Sequence, residues 1–359
     1  MIIRSSGNLL LAKADALVNT VNTVGVMGKG IALQFRNAYP ELYKSYVAAC
    51  AERSVKLGHM DIHDQGGLVE GPRWIINFPT KGHWKAKSRI VDVESGLEDL
   101  VRAVKRLGIR SIAIPPLGCG NGGLDWADVR PLIESAFAPL NDVEVLLYGP
   151  SGAPEAAAMP IKTVRPRLTV TSASLITLIQ RYLNGLLDPI ISLLEVQKLM
   201  YFMQVCGYDF KLSYSKGIYG PYAPTLSHVL KRLEGHYIQG HGDGSDKPGK
   251  PIELLENADS EAANLLSRND RAAKAIDSVA SLIEGYEDAL GMELLSTVHW
   301  VLDHYPKARQ SPSLAVELVH AWNPRKKVLM RAEHIEKAWT RIVKKAWHWD
   351  EHSPFDDLI

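Results

Sequence analysis

Apolar positions keep two different rhythms in the two halves of the chain. Over the first 150 residues, short apolar runs alternate with stretches of helical period. Residues 1–4, 16–21, 112–114 and 143–148 read as buried strands. Residues 59–63 and 74–78 read as two more, set apart by Gln65-Gly66-Gly67 and Gly71-Pro72. Helical spacing covers 31–39, stopped by Pro40, and 41–52, where Leu42, Tyr43, Tyr46, Val47 and Cys50 share a face. It returns over 88–107 (Val91, Val93, Leu97, Leu100, Val101, Val104) and over 126–140, where Pro131 falls early enough to be tolerated. Strands alternating with helices predict a three-layer α/β/α fold with a largely parallel or mixed sheet over residues 1–150.

The rhythm then changes. Residues 151–166 begin with a Pro-, Ala- and Gly-rich stretch and read as a linker. Beyond it, 167–359 is mainly helical. One helix carries Leu175, Ile176, Leu178, Ile179, Tyr182, Leu183 and Leu186. A second, after Asp188-Pro189, carries Leu194, Gln197, Lys198, Tyr201 and Val205. Residues 211–220 are short and extended, with a Gly-x-Tyr-Gly-Pro turn. Helices follow over 225–234, 261–268, 270–284, 286–305, 314–320 and 334–346, and the glycine-rich stretch 240–251 reads as a mobile loop.

Composition narrows the function classes. The 359 residues carry a formal net charge of +1, and the balance holds in each half: 17 Lys/Arg against 16 Asp/Glu through Glu155, and 24 against 24 after it. Neither half is a basic nucleic-acid sponge or an acidic tail, so a nucleic-acid substrate would have to be gripped locally. The three cysteines, Cys50, Cys119 and Cys206, are far apart and odd in number, which fits a reducing compartment. No Cys/His cluster has metal spacing, no signal peptide is evident and no apolar run is long enough to cross a bilayer. The expectation is a cytoplasmic protein without a membrane partner, metal or cofactor.

Three stretches carry candidate chemistry. The first ends an apolar run in Asn19-Thr20-Val21-Asn22-Thr23, then presents Gly25, Gly28 and Gly30 before the helical pattern at Ile31. Glycines let backbone N–H groups approach an anion at a helix start. The spacing Gly-x-x-Gly-x-Gly fits neither the dinucleotide fingerprint nor the P-loop. The second, Ile75-Ile76-Asn77-Phe78-Pro79-Thr80-Lys81-Gly82, reads as a buried strand that ends at Pro79 and presents Thr80 and Lys81 at the strand tip, where α/β sheets bind ligands. The third, Ile114 through Trp126, contains Leu117-Gly118-Cys119-Gly120-Asn121-Gly122-Gly123, again strand, glycine loop, helix, with Asp125 as N-cap. Cys119 has no His nearby in sequence and reads as small packing.

These stretches resemble a macrodomain, the ADP-ribose-binding α/β module. The matching pieces are Gly7-Asn8-Leu9-Leu10, Ala16-Leu17-Val18-Asn19-Thr20-Val21-Asn22 and Gly28-Lys29-Gly30-Ile31-Ala32, and the likeness spans about residues 1–150. It implies an ADP-ribose site made by Asn8, Leu9, Asn19, Asn22, Thr23, Gly28, Gly30, Ile31, Thr80 and the loop Leu117, Gly118, Cys119, Gly120, Asn121, Gly122 and Gly123. Asn8 stands where many macrodomains carry an Asp that contacts adenine.

Thr80-Lys81 and Gly118-Cys119-Gly120 further resemble the branch that uses a lysine for de-ADP-ribosylation. That branch includes the terminal ADP-ribose glycohydrolase and the DNA ADP-ribosylglycohydrolase antitoxins paired with a thymidine-modifying toxin. The former pairs its lysine with an Asp that falls at about Gly122 here and is absent. The Asn-Thr-Val-Asn-Thr and Phe-Pro-Thr-Lys stretches are most similar to the DNA-directed antitoxins.

In the second half, Lys198-Leu199-Met200-Tyr201-Phe202-Met203-Gln204 and Tyr214 through Pro224 resemble a Panacea-type, SocA-like antitoxin domain. The histidines there have no ligand or triad spacing.

The resemblances imply an enzyme that removes ADP-ribose from thymidine in single-stranded DNA and also binds its cognate DNA ADP-ribosyltransferase toxin. Lys81 and Asn22 are the candidate catalytic residues. The site must stabilise oxocarbenium-like charge at the distal ribose C1″. Lys81 is the amine for covalent capture or ribose positioning, and Asn22 faces the ribose hydroxyls. Two other readings stay open: a hydrolase of protein-linked ADP-ribose, and a non-catalytic ADP-ribose reader or sequestering protein.

Overall fold

A computed structural model describes residues 1–66, 71–186 and 190–345. Gly67, Asp188-Pro189 and Ala346, which mark ends of expected turns and helices, lie outside these. The chain packs as two units, one formed by Met1–Val164 with Gly242–Ser245, the other by Arg165–His241 with Asp246–Ile359.

The first unit runs β1 (Ile2–Ser5), β2 (Ala16–Asn22), α1 (Gly30–Ala38), α2 (Pro40–Ala51), β3 (Asp61–Asp64), β4 (Trp74–Lys81), α3 (Ile90–Leu107), β5 (Ser111–Ile114), α4 (Trp126–Phe137) and β6 (Glu144–Tyr148). The six strands form one sheet in the order β1-β6-β5-β2-β4-β3. All neighbours are parallel except β3 and β4.

Alternation along the strands explains the layers. Val18, Ile76, Phe78, Ile112, Ile114, Val145 and Leu147 point into one core with Val93, Leu97, Leu100 and Val104 of α3 and Val129, Ile133 and Phe137 of α4. The intervening Leu17, Ile75, Ala113 and Tyr148 face Phe35, Ala38 and Leu42 of α1 and α2. Each such side chain taken from water stabilises by about 1.5–3 kcal/mol. Gly96 lets α3 approach β4, because a Cβ there would lie 2.3 Å from the Phe78 ring.

One expectation is corrected. Pro79 does not end its strand, which continues to Lys81. β3 pairs only with residues 74–77, so Pro79 lies past its end. On the other side the register with β2 shifts between Val21 and Asn22, the kind of irregular position where a residue without an N–H is accommodated.

The second unit contains α5 (Val170–Leu186), β7 (Ile191–Ser192), α6 (Leu193–Val205), β8 (Ser215–Gly217), β9 (Gly220–Tyr222), α7 (Leu226–Leu233), β10 (Ile238–Gln239), β11 (Pro251–Leu254), α8 (Ala258–Leu266), α9 (Asp270–Ile283), α10 (Ala289–His304), α11 (Pro312–His320), α12 (Pro324–Leu329) and α13 (Ala332–Lys344). It is mainly helical. The sequence did not disclose α12, nor the small antiparallel sheet β10-β11-β7, whose strands have two to four residues each.

α6 starts at a capping box between Ser192 and Glu195 and is buried from Leu193 through Gln204. The two sequence blocks singled out in this half bond to each other. Lys198 Nζ donates to the Pro221 carbonyl at 2.7 Å, and Gln197 exchanges two hydrogen bonds with the Ala223 backbone.

Candidate active site

In the first unit, β4 lies on one side of β2 and β5 on the other. The chain leaves β2 toward β3 and β4 and then crosses back to β5. The carboxyl ends of these parallel strands therefore open a crevice at a topological switch point. All three chemical stretches end there.

Asn22 and Lys81 are register partners across β2 and β4. Lys81 Nζ donates to the Asn121 carbonyl at 3.0 Å, tying the amine to the second glycine loop. A Cβ on Gly30 would lie 3.1 Å from the Asn121 side-chain nitrogen, so the two glycine loops approach one another at that residue. The Gly30 amide itself meets an oxygen, donating at 2.8 Å to the carbonyl of Asp243 within the same unit. The structure thus brings together Asn22, Lys81, Gly30 and Asn121.

Lys81 is partly buried. That burial, and then the ammonium of Lys87, lower its pKa below the usual lysine range. A lysine with a depressed pKa offers a larger fraction of neutral, nucleophilic amine.

The second loop is built around two left-handed glycines, Gly118 and Gly123, and closes through Leu124 N–H to the Gly118 carbonyl at 3.1 Å. Ser88 N–H donates to the Gly122 carbonyl at 3.0 Å. A Cβ on Gly122 would lie 2.3 Å from both the Gly118 carbonyl oxygen and Ser88 Oγ. The aspartate that the terminal ADP-ribose glycohydrolase carries at about this position has no room here. Asp125 accepts from Ala127 N–H at 2.9 Å and is the N-cap of α4, as expected. Burial, with a smaller contribution from Asp125, pushes the Cys119 thiol up to about 11, which fits a packing residue rather than a thiolate.

Several expected ligand side chains make hydrogen bonds within the unit. Asn19 has no exposed surface and donates to Asn77 Oδ1 at 2.9 Å. Asn77 in turn donates to Asp61 at 2.8 Å. Asp61 is acceptor-only when ionised, so the direction of the chain is fixed. Thr80 is buried under Val21, and Thr23 Oγ1 donates to the Gly82 carbonyl at 2.7 Å. Asn8 caps the turn at Leu9–Leu11 and donates to the Ala158 carbonyl at 2.7 Å. The Leu9 and Leu117 side chains belong to the two cores, with Ile31 packed beside the first.

Asn22 also makes local hydrogen bonds. Its Nδ2 donates to the Val26 carbonyl at 2.6 Å, its Oδ1 accepts from the Val24 and Val26 amides, and Tyr46 donates to its carbonyl at 2.6 Å. These bonds shape the first glycine loop and use one of the two Nδ2–H groups of Asn22.

Elsewhere in this unit, a cavity of about 420 Å³ touching Leu10, Ala14, Tyr39, Pro72, Pro160 and Lys162 adjoins the segments that lead into β2 and β4, away from the crevice. Among the described residues no group of three or more His, Cys, Asp or Glu could hold a metal ion, and no helix is long and apolar enough to cross a membrane.

The fold and the crevice define the class: a macrodomain carrying a helical second unit. The Macro domain family model matches residues 18–133. A DNA ADP-ribosyl glycohydrolase of Thermus aquaticus is 46% identical over 97% of this chain and 96% of its own length. The solved macrodomain of Mycobacterium tuberculosis DarG is 54% identical, covering 42% of this chain and 99% of that one, with a TM-score of 0.41. A DNA ADP-ribosyl transferase–DNA ADP-ribosyl glycohydrolase fusion protein of Thermosipho africanus is 34% identical over 40% of each chain. The chain belongs to the DNA ADP-ribosyl glycohydrolase family.

Proposed function

We propose that the protein removes ADP-ribose from thymidine bases of single-stranded DNA, and that its helical unit sequesters the cognate DNA ADP-ribosyltransferase toxin. The observation that carries the enzymatic part is the Lys81 amine held 3.0 Å from the second glycine loop at the mouth of the crevice. Membership of the family supports the DNA-linked substrate. The fusion relative, whose name joins transferase and glycohydrolase, supports the toxin partner.

In this reading the backbones at Gly28 and over Gly118–Gly123 hold the diphosphate, the Gly30 amide being taken by the Asp243 carbonyl. Asn22 fixes the first loop, and Asn19 and Thr80 support the strand tips from below. The neutral Lys81 amine gives its electron pair to C1″ as the bond from C1″ to the base nitrogen breaks. The base leaves with the electrons of the broken bond and takes up a proton, while the lysine nitrogen, cationic once bonded to C1″, gives one up. Water then hydrolyses the lysine–sugar link, releasing ADP-ribose and the free amine. The protein acts where metabolism is reducing, in the cytoplasm.

The test compares release of ADP-ribose from an ADP-ribosylated thymidine oligonucleotide and from ADP-ribosylated protein. Turnover of the oligonucleotide supports the reading. Turnover of the protein substrate alone, or of neither, overturns the enzymatic part. Co-purification of the toxin with full-length Lys81→Ala supports sequestration, and its failure overturns that part alone.

A further inference from the structure

Between Lys81 and α3 the chain reads Gly82-His83-Trp84-Lys85-Ala86-Lys87-Ser88-Arg89. This segment is pinned at both ends to the crevice: Thr23 Oγ1 bonds the Gly82 carbonyl at 2.7 Å, and Ser88 N–H bonds the Gly122 carbonyl at 3.0 Å. Between the pins, residues 83–87 are all exposed.

Trp84 is 48% exposed. Its indole is open to water three residues along the chain from Lys81. The ring has neighbours within its own loop. The His83 ring lies 5.4 Å from it at 30°, Lys85 Nζ sits 4.9 Å from its centroid, and the turn is closed by Lys85 N–H to His83 Nδ1 at 3.2 Å and Ala86 N–H to the His83 carbonyl at 2.9 Å.

The charges point the same way. The segment has no carboxylate, while Lys81, Lys85 and Lys87 are all on or beside it. Arg89, just past the loop, pairs with Asp92. A ring platform with ammonium groups on the same short loop is the combination that holds single-stranded nucleic acid without a broadly basic surface: bases stack, and phosphates meet lysines. It also reconciles a net charge of only +1 with a DNA substrate, because the grip is confined to one loop.

We propose that Trp84, backed by His83, is a stacking platform for the nucleobase next to the modified thymidine, which displaces Lys85 from over the ring so that its ammonium meets the phosphate between them. The proposal rests on the reading of the crevice as a DNA-directed site and names the residue that recognises the DNA beyond the modified nucleotide. An aromatic–base stack is worth about 1–3 kcal/mol, which converts to a change of about 5- to 150-fold in kcat/KM.

The test measures full-length wild type, Trp84→Ala and Trp84→Phe on two substrates: a single-stranded oligonucleotide bearing one ADP-ribosylated thymidine, and the ADP-ribosylated thymidine mononucleoside. Expected is a drop of roughly 5- to 150-fold for Trp84→Ala on the oligonucleotide alone, largely restored by Trp84→Phe. Equal rates for wild type and Trp84→Ala on the oligonucleotide overturn the platform and leave the proposed function standing. So does an equal loss on both substrates, which would make Trp84 a loop support. No turnover of either substrate by wild type overturns the underlying reading instead.

Discussion

Lys81 Nζ lies 3.0 Å from the carbonyl oxygen of Asn121, a contact that joins the end of β4 to the glycine loop after β5 across forty residues of sequence. It fixes where the amine can reach. The lysine is anchored by a backbone acceptor, and among the described residues no carboxylate pairs with it. Burial and the Lys87 ammonium both favour the neutral form.

Replacing this amine separates binding from chemistry. Lys81→Ala is expected to keep ADP-ribose binding within a few-fold, because the glycine loops are untouched, and to lose hydrolysis. Lys81→Arg keeps the charge but carries no nucleophilic amine at accessible pH. If Lys81 captures C1″, Lys81→Arg is as inactive as Lys81→Ala in single-turnover assays. Recovery of turnover by arginine would instead make Lys81 a charge that positions the ribose.

The pH dependence follows from the lowered Lys81 pKa. Hydrolysis should rise with pH as the amine deprotonates, and level off below the range of an ordinary lysine. Lys87→Met removes a repelling ammonium, so the Lys81 pKa moves up and the rising limb shifts to higher pH. Superimposable kcat profiles for wild type and Lys87→Met would show that this limb does not report Lys81.

The layered fold was legible because strands with two buried faces and amphipathic helices leave different periods in the sequence. The convergence of Lys81 with the glycine loops was legible because parallel strands put their carboxyl ends on one edge. What could not be read is where the polar side chains spend their hydrogen bonds. Asn19 finds Asn77 and Asn8 finds Ala158, partners 58 and 150 residues away. A local motif does not disclose which amide also holds a turn, as Asn22 does through Val24 and Val26. Trp84 was visible as a letter, but its exposure depends on how residues 82–88 are pinned at both ends.

Gly122 tests the second loop. A methyl group there would meet the Gly118 carbonyl, a backbone atom that cannot swing aside. Gly122→Ala is expected to open the loop, lower stability by about 1–3 kcal/mol and weaken ADP-ribose binding, with Lys81 losing its Asn121 anchor. Thermal unfolding and calorimetric titration with ADP-ribose check both effects. An alanine variant with unchanged affinity would mean that this loop does not cradle the ligand.

The last prediction concerns the second unit, where α6, α10 and α12 bring charges into the core. Lys198 is buried with its ammonium on the Pro221 carbonyl. Lys326 is buried on Glu293 at 2.7 Å and Thr297 at 3.0 Å, and Arg325 reaches the same carboxylate. Burial and then Lys326 lower the Lys198 pKa to about 7, with Glu293 opposing. Below that value the folded and unfolded states are both protonated, and the cost of burying the charge is carried in full. Between about 7 and the ordinary lysine value of 10.5 the unfolded state holds the extra proton, so the free energy of unfolding rises with pH, by at most ~1.4 kcal/mol per pH unit. Lys198→Met lacks this slope and is expected to gain its largest advantage over wild type at or below pH 7, an advantage that shrinks as pH rises toward 10. Urea titrations at several pH values, read by hydrogen exchange in α6, measure the difference. Parallel pH dependences for the two proteins would show that Lys198 keeps its proton in the fold, held by Glu293 more strongly than burial and Lys326 oppose it.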